Sequence, residues 1–150
     1  MIEGVVVKPL KIFEDSRGKV MHMLRSDDDM FKGFGEVYFS VINPGVIKGW
    51  KKHRKMTQHF VVPVGKLKVV LFDDREDVST RGEVEEVHIG GESYSLLCIP
   101  PGVWYSFKSD LDEYALIANC TDIPHDPEEV VNTDCFDKKI PYKWEKIDAK

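Results

Sequence analysis

The sequence predicts an all-β protein, a sandwich or barrel of short strands with little helix. Five segments are short, rich in β-branched or aromatic residues and bounded by Gly, Pro, Asp or Asn: 35–42, 66–73, 83–89, 94–100 and 114–120. Turn-forming clusters separate such segments about every 8–12 residues, which is typical of β-sandwiches and barrels. Helical signals are thin, and we expect no more than single turns within 27–34, where an Asp can cap, and within 127–136.

Size and composition favour one globular domain over residues 1–150. The chain is 42% hydrophobic and 31% charged, and its 21 Lys and Arg against 26 Asp and Glu give a formal charge of −5. This balance argues against a general nucleic-acid binder, which needs a basic face to meet phosphates. No apolar run approaches the roughly 20 residues that span a bilayer. Since the first residues lack a signal-peptide pattern, we expect a cytoplasmic protein without a membrane partner.

Three cysteines without regular spacing predict no disulfide framework. Cys98 lies in an apolar segment and is interpreted as a small buried hydrophobe. At the carboxy terminus, residues 146–150 are expected to form a frayed tail.

The stretch from Gly45 to Gly65, GVIKGWKKHRKMTQHFVVPVG, has the most informative spacing. It resembles the first motif of the cupin superfamily, Gly-x5-His-x-His-x3–4-Glu-x6-Gly. The run from Pro100 to Tyr105 resembles the second motif, Pro-x-Gly-x2-His. The resemblance implies a double-stranded β-helix, the jelly-roll barrel of cupins.

The positions of the cupin metal ligands carry Lys51, His53, Gln58 and Tyr105. A catalytic metal in such a pocket needs about three or four nitrogen or oxygen ligands. His53 is a good ligand, but the Lys51 ammonium repels a cation and Gln58 is a weak neutral donor. We therefore expect no metal and no other cofactor.

Several further runs share their order and spacing with one group of cupins: FEDSRG (13–18), GVIKGWK (45–51), VVLFDDR (69–75), IPPGVWYSF (99–107) and CTD (120–122). Over residues 9–145 the chain resembles the family of dTDP-4-dehydrorhamnose 3,5-epimerase. The runs 49–58 and 99–104 also resemble the dTDP-sugar 3,4-ketoisomerases. The resemblance implies an isomerase of a nucleotide-linked 4-keto-6-deoxy sugar, serving surface-polysaccharide or deoxysugar biosynthesis by epimerisation or by a keto shift.

The catalytic positions of the epimerase family are changed in this chain. The resemblance places the family's base, its lysine and its general-acid tyrosine at Lys51, Gln58 and Ala118. Two functions therefore stay open: an isomerase with altered catalytic groups, and a non-catalytic cupin that binds a nucleotide sugar or glycan.

His53 is the candidate base, because isomerisation beside a ketone needs a group that removes an α-proton and a neutral imidazole suits that role. Strand alternation puts Lys51 and His53 on one face and Lys52 on the other. Lys51 and Tyr105 are candidates for stabilising the negative oxygen that develops. The alternatives are a rim histidine on a cationic loop, a solvated lysine and an aromatic filler.

Binding residues follow from the resemblance and from charge. Lys48 and Arg17 match positions that contact substrate, and Phe13 is placed near the nucleotide. Gln58 and Trp104 are further candidates for substrate contact. A cationic cluster in an acidic protein suits a diphosphate: Lys51, Lys52, Arg54 and Lys55.

The resemblance also implies a homodimer in which the strand of the Arg17-Gly18 motif is contributed to the partner subunit. Asp73 and Arg75 are expected to form a structural pair at a strand end. Glu128 and Glu129 are adjacent, so we expect them to point apart, as helix-start or loop acids that form no catalytic dyad.

Overall fold

Two five-stranded antiparallel sheets face each other in the computed structural model, which describes residues 1–145. The strands in chain order are β1 Val6–Pro9, β2 Ile12–Asp15, β3 Gly18–Met21, β4 Glu36–Ile42, β5 Ile47–His53, β6 Gln58–Val64, β7 Lys66–Asp73, β8 Val84–Gly90, β9 Ser95–Ile99, β10 Val103–Ser109, β11 Ala115–Thr121 and β12 Val130–Asn132. The first sheet has the order β1-β9-β6-β11-β4 and the second the order β12-β5-β10-β7-β8. Strands β2 and β3 form a separate hairpin.

The all-β prediction is confirmed, and each of the five predicted segments contains a strand: β4, β7, β8, β9 and β11. The helical turns are wrong, since the described residues contain no helix. Residues 27–34 form turns and loop, where Asp28 accepts a hydrogen bond from the Arg25 amide at 2.8 Å. Val130 and Val131 instead pair with His53 and Lys52, because β-branched residues suit a strand.

No helix within residues 1–145 is long and apolar enough to cross a membrane. The predicted tail at 146–150 lies outside the described residues.

Apolar clusters lie between the sheets and on both outer faces. The cluster between the sheets includes Phe60, Leu71, Ile99, Phe107 and Ile117. On the outer face of the second sheet, Trp50 and Trp104 pack with Ile140 and Trp144 of the carboxy-terminal segment. That segment therefore covers the back of the strand that carries Lys51 and His53.

Two smaller predictions are confirmed in the fold. Cys98 is buried in the cluster outside the first sheet, and burial raises the pKa of its thiol to about 11. Arg75 forms an ion pair with Asp73 at 2.9 Å at the end of β7, and the Thr80 hydroxyl donates to the same carboxylate at 2.6 Å. This pair is structural because Asp73 is completely buried.

Candidate active site

A cavity of about 120 Å³ lies between the two sheets. Strands β4, β5, β6, β10 and β11 supply its walls, and the residues that line it are Tyr38, Ser40, Lys48, Gly49, Lys51, Gln58, Phe60, Tyr105, Phe107, Ile117 and Asn119. Phe60, Phe107 and Ile117 also belong to the cluster between the sheets. The cavity is therefore an opening of the core, with polar groups set into apolar walls.

A bulge in β5 turns both Lys48 and Lys51 towards the cavity. Tyr105 pairs with Lys51 and the next residue, Ser106, pairs with Gly49, so Trp50 is the extra residue. The bulge resets the alternation, and Trp50 packs on the outer face. Gly49 has a φ of +130°, and a Cβ there would lie 2.7 Å from Ser106 Cβ, so only glycine fits.

His53, at the end of β5, is held between a carboxylate and a phenol. Its Nδ1 hydrogen-bonds Glu129 Oε1, and its Nε2 lies 3.1 Å from Tyr105 Oη. Glu129 is buried, and its Oε2 accepts hydrogen bonds from the amides of Lys55 at 3.1 Å and Met56 at 3.2 Å. The interpretation of Glu129 as a loop acid is therefore wrong: Glu128 is exposed as expected, but Glu129 turns inward onto His53.

The charge on Glu129 determines which nitrogen of His53 carries the proton. Burial acts to raise the pKa of Glu129, but hydrogen bonds from His53 and from the amides of Lys55 and Met56 outweigh it and lower the pKa. An ionised carboxylate only accepts, so the neutral imidazole carries its proton on Nδ1 and presents the Nε2 lone pair to Tyr105.

Tyr105 stands between His53 and the cavity. Its side chain lines the cavity, and its hydroxyl lies within reach of both His53 Nε2 and Gln58 Oε1, the latter at 3.3 Å. Burial raises the pKa of Tyr105 far above its ordinary value, so the phenol keeps its proton at neutral pH. That single proton is donated to His53 when the imidazole is neutral, or to Gln58 when His53 itself donates.

A hydrogen-bonded network continues from Tyr105 to the opposite sheet. Asn119 Nδ2 donates to Gln58 Oε1 at 3.1 Å and to Tyr38 Oη at 3.0 Å. Asn119 Oδ1 accepts from the His59 amide at 3.2 Å, which settles the orientation of the Asn119 amide. Asn119 and Tyr38 are not among the residues predicted from the sequence. For Asn119 the available signal was its position as the one polar residue inside the apolar run ALIANC. For Tyr38 it was the spacing of two residues from Ser40, which puts both on the same face of a strand.

The structure brings together five of the residues proposed from sequence: Lys48, Lys51, His53, Gln58 and Tyr105. It does not bring the cationic run to one place. Lys52 pairs with Asp74 at 3.2 Å on the outer face, and Arg54 Nη1 donates to the Glu128 carbonyl oxygen at 3.0 Å.

Three other candidates lie away from the cavity. Trp104 packs in the outer cluster, and its Nε1 donates to Asp74 Oδ2 at 2.8 Å. Phe13 and Arg17 lie on the exposed β2–β3 hairpin, where Arg17 pairs with Asp15 at 2.6 Å. Ala118, where the resemblance places the family's acid, packs in the outer cluster of the first sheet.

The four cupin ligand positions do not fit a metal ion. Both ring nitrogens of His53 have protein partners, and the other three positions offer an ammonium, an amide and a protonated phenol. Within residues 1–145, no three His, Cys, Asp or Glu side chains are grouped as a metal site.

The family model for dTDP-4-dehydrorhamnose 3,5-epimerase matches residues 1–150. The crystal structure of a dTDP sugar isomerase from Desulfovibrio desulfuricans G20 is similar to this chain, with a TM-score of 0.91 and 45% identity, covering 95% of this chain and 91% of that one. This likeness confirms the jelly-roll barrel.

Two curated relatives align over most of the chain. The probable low-salt glycan biosynthesis epimerase Agl13 of Haloferax volcanii is 36% identical over 143 residues, which are 94% of this chain and 88% of the relative. The spore coat polysaccharide biosynthesis protein SpsL of Bacillus subtilis is 33% identical over 147 residues, which are 98% of this chain and 94% of the relative.

Proposed function

The chain belongs to the dTDP-4-dehydrorhamnose 3,5-epimerase family, and on this premise we propose how its cavity carries out the reaction. The protein is a nucleotide-sugar epimerase of polysaccharide or deoxysugar biosynthesis. Its substrate in our proposal is a dTDP-linked 4-keto-6-deoxyhexose, and the reaction is a proton transfer at a carbon next to the ketone. The observation that carries this proposal is the line of hydrogen bonds from buried Glu129 through His53 to Tyr105 at the cavity wall.

We propose that Tyr105 and His53 act together as the base. The proton on the substrate carbon moves to Tyr105 Oη while the hydroxyl proton of Tyr105 moves to His53 Nε2. The pair of electrons from the broken C–H bond passes into the enolate. Glu129 stabilises the imidazolium that forms, because its carboxylate already accepts from Nδ1. The concerted transfer avoids a free phenolate, which burial disfavours.

The enolate oxygen needs a positive group, and Lys51 lines the same wall as Tyr105. Lys48, also in the lining, is placed to contact the diphosphate, since two negative phosphates need a cation at close range. Gln58 Oε1 lies 3.3 Å from the Tyr105 hydroxyl and accepts its proton only when His53 itself donates. Gln58 also lines the cavity, and its contact with the substrate stays a prediction.

We propose that the active form is a homodimer. The outward face of β4 exposes Val37, Phe39 and Val41 by 46%, 67% and 53%, an apolar surface that a second subunit would cover. Phe13 and Arg17 stand on an exposed hairpin, from which they would reach a neighbouring subunit's cavity rather than their own. The nucleotide contact of Phe13, the substrate contact of Trp104 and the cytoplasmic location stay predictions.

The test incubates the protein with dTDP-4-keto-6-deoxyglucose in deuterium oxide and follows the hydrogens at C3 and C5 by NMR. We expect wild-type protein to exchange at least one of them, and His53→Ala to lose about 10²–10⁴-fold in rate with little change in substrate affinity, because general-base catalysis acts in the transition state. Tight binding by the wild type without exchange at either carbon would leave a binding cupin instead of an enzyme. Undiminished exchange in His53→Ala would move the base to Lys51.

A further inference from the structure

We propose that Tyr38 is a second catalytic group, which gives a proton to the substrate from the wall opposite Tyr105. The inference rests on the proposed proton transfer. Tyr38 lies on β4 of the first sheet and Tyr105 on β10 of the second, and both side chains line the one cavity between the sheets. A sugar ring in that cavity therefore has a phenol on each side.

The hydrogen bonds around Tyr38 direct its proton into the cavity. Asn119 pairs with Tyr38 across β11 and β4, and its Nδ2 donates to Tyr38 Oη at 3.0 Å. The Asn119 amide is held in that orientation because its Oδ1 accepts from the His59 amide. The described residues thus give the Tyr38 hydroxyl a donor and no acceptor, so its own proton is available to a ligand.

The protonation state and exposure of Tyr38 suit a proton donor. Burial raises its pKa, the hydrogen bond from Asn119 lowers it in part, and the charges of Glu36 and Glu129 raise it further. The phenol is therefore protonated at neutral pH. The residue is nevertheless 37% exposed, so solvent can return a proton to it after each turnover.

Inversion of a carbon requires that the new proton arrive on the face opposite the one that lost its proton, and Tyr38 stands opposite Tyr105. The base takes the proton from one face, and the electron pair is held in the enolate. A new C–H bond then forms on the other face with the proton of Tyr38, and the electron pair of its O–H bond remains on the phenolate. His53 has gained one proton and Tyr38 has lost one, so the balance is restored by exchange with water once the product leaves.

The experiment separates exchange from inversion. Wild type, Tyr38→Phe and the control Tyr114→Phe, an exposed tyrosine outside the cavity lining, are incubated with dTDP-4-keto-6-deoxyglucose in deuterium oxide. NMR measures deuterium entry and epimer formation separately. For Tyr38→Phe we expect epimer formation to fall by about 10²-fold or more, while deuterium still enters with retained configuration within about threefold of the wild-type rate, since the base can return a deuteron to the same face.

Each other outcome has a distinct meaning. Epimer formation at the wild-type rate in Tyr38→Phe overturns the role of Tyr38 and leaves the proposed function intact. An equal loss of exchange and inversion in Tyr38→Phe also overturns it. A group that only delivers the new proton should spare exchange, so an equal loss would indicate a disturbed packing of the cavity. Absence of exchange in the wild type overturns the proposed function and the Tyr38 assignment with it.

Discussion

The lysines on the two faces of β5 have different surroundings. On the outer face, Lys52 forms an ion pair with Asp74 at 3.2 Å, and its Nζ lies 4.8 Å from the centre of the Trp104 ring. On the inner face, Lys48 and Lys51 line the cavity and form no ion pair with any part of the chain that the structure describes. Cations that the fold leaves unpaired inside a cavity are available to an anionic ligand, whereas the paired cation serves the fold.

The carboxylates follow the same division. Asp74 meets a lysine and an indole at the surface, while Glu129 is buried and holds an imidazole that leads to the cavity. The sequence around each is equally acidic, with Asp73 beside Asp74 and Glu128 beside Glu129. Function is therefore assigned by the direction in which a side chain points.

The largest effect is expected from removing the charge of Glu129. In Glu129→Gln, the amide can donate to His53 and favour the wrong tautomer, so we expect kcat/KM to fall by about 10²–10⁴-fold, as for a triad carboxylate. The matched control is Glu128→Gln, an exposed neighbour that should keep wild-type kinetics. Steady-state kinetics of both variants decide the comparison, and equal activity of the two would remove Glu129 from the mechanism.

A smaller effect is expected from a substitution at the bulge of β5, where the alternation of inward and outward side chains is reset. Gly49→Ala adds a Cβ at a φ of +130° and 2.7 Å from Ser106, whereas Gly33→Ala adds one at a φ of +124° with no atom within 4 Å. Backbone strain alone costs about 1–3 kcal/mol, and crowding at Gly49 adds about 1–3 kcal/mol. Urea unfolding should show Gly49→Ala as the less stable of the two; equal midpoints would contradict the close packing against β10.

The smallest effect separates the two lysines. Lys48→Met should weaken binding of dTDP about tenfold, and more at low salt, because a charge-assisted phosphate contact is lost. Lys52→Met should leave dTDP binding within about twofold and lower the free energy of unfolding by about 0.2–1 kcal/mol, as for other partly exposed ion pairs. Calorimetric titration measures the dTDP affinity of both variants, and urea unfolding measures their stability. An equal loss of dTDP affinity would mean that inner and outer cations are equivalent.

Local sequence was sufficient for most of the fold. β7 occupies the predicted residues 66–73, since a run of β-branched and aromatic residues bounded by turns has few other ways to bury its apolar groups. The cupin motif spacing likewise predicted one site for Lys51, His53, Gln58 and Tyr105. Strand alternation explains why Lys51 and His53, two residues apart on β5, share a face, whereas Gln58 and Tyr105 were placed by the resemblance.

Tertiary structure decided the rest of the site. Strand alternation puts the adjacent Trp104 and Tyr105 on opposite faces of β10, but the packing of the two sheets decides that Tyr105 faces the cavity and Trp104 the outer cluster. Lys48 joins Lys51 there through a bulge that is defined by pairing with β10. Glu129 and Tyr38 are separated from their partners by 76 and 81 residues. Such contacts depend on which strands become neighbours, and no local periodicity encodes that choice.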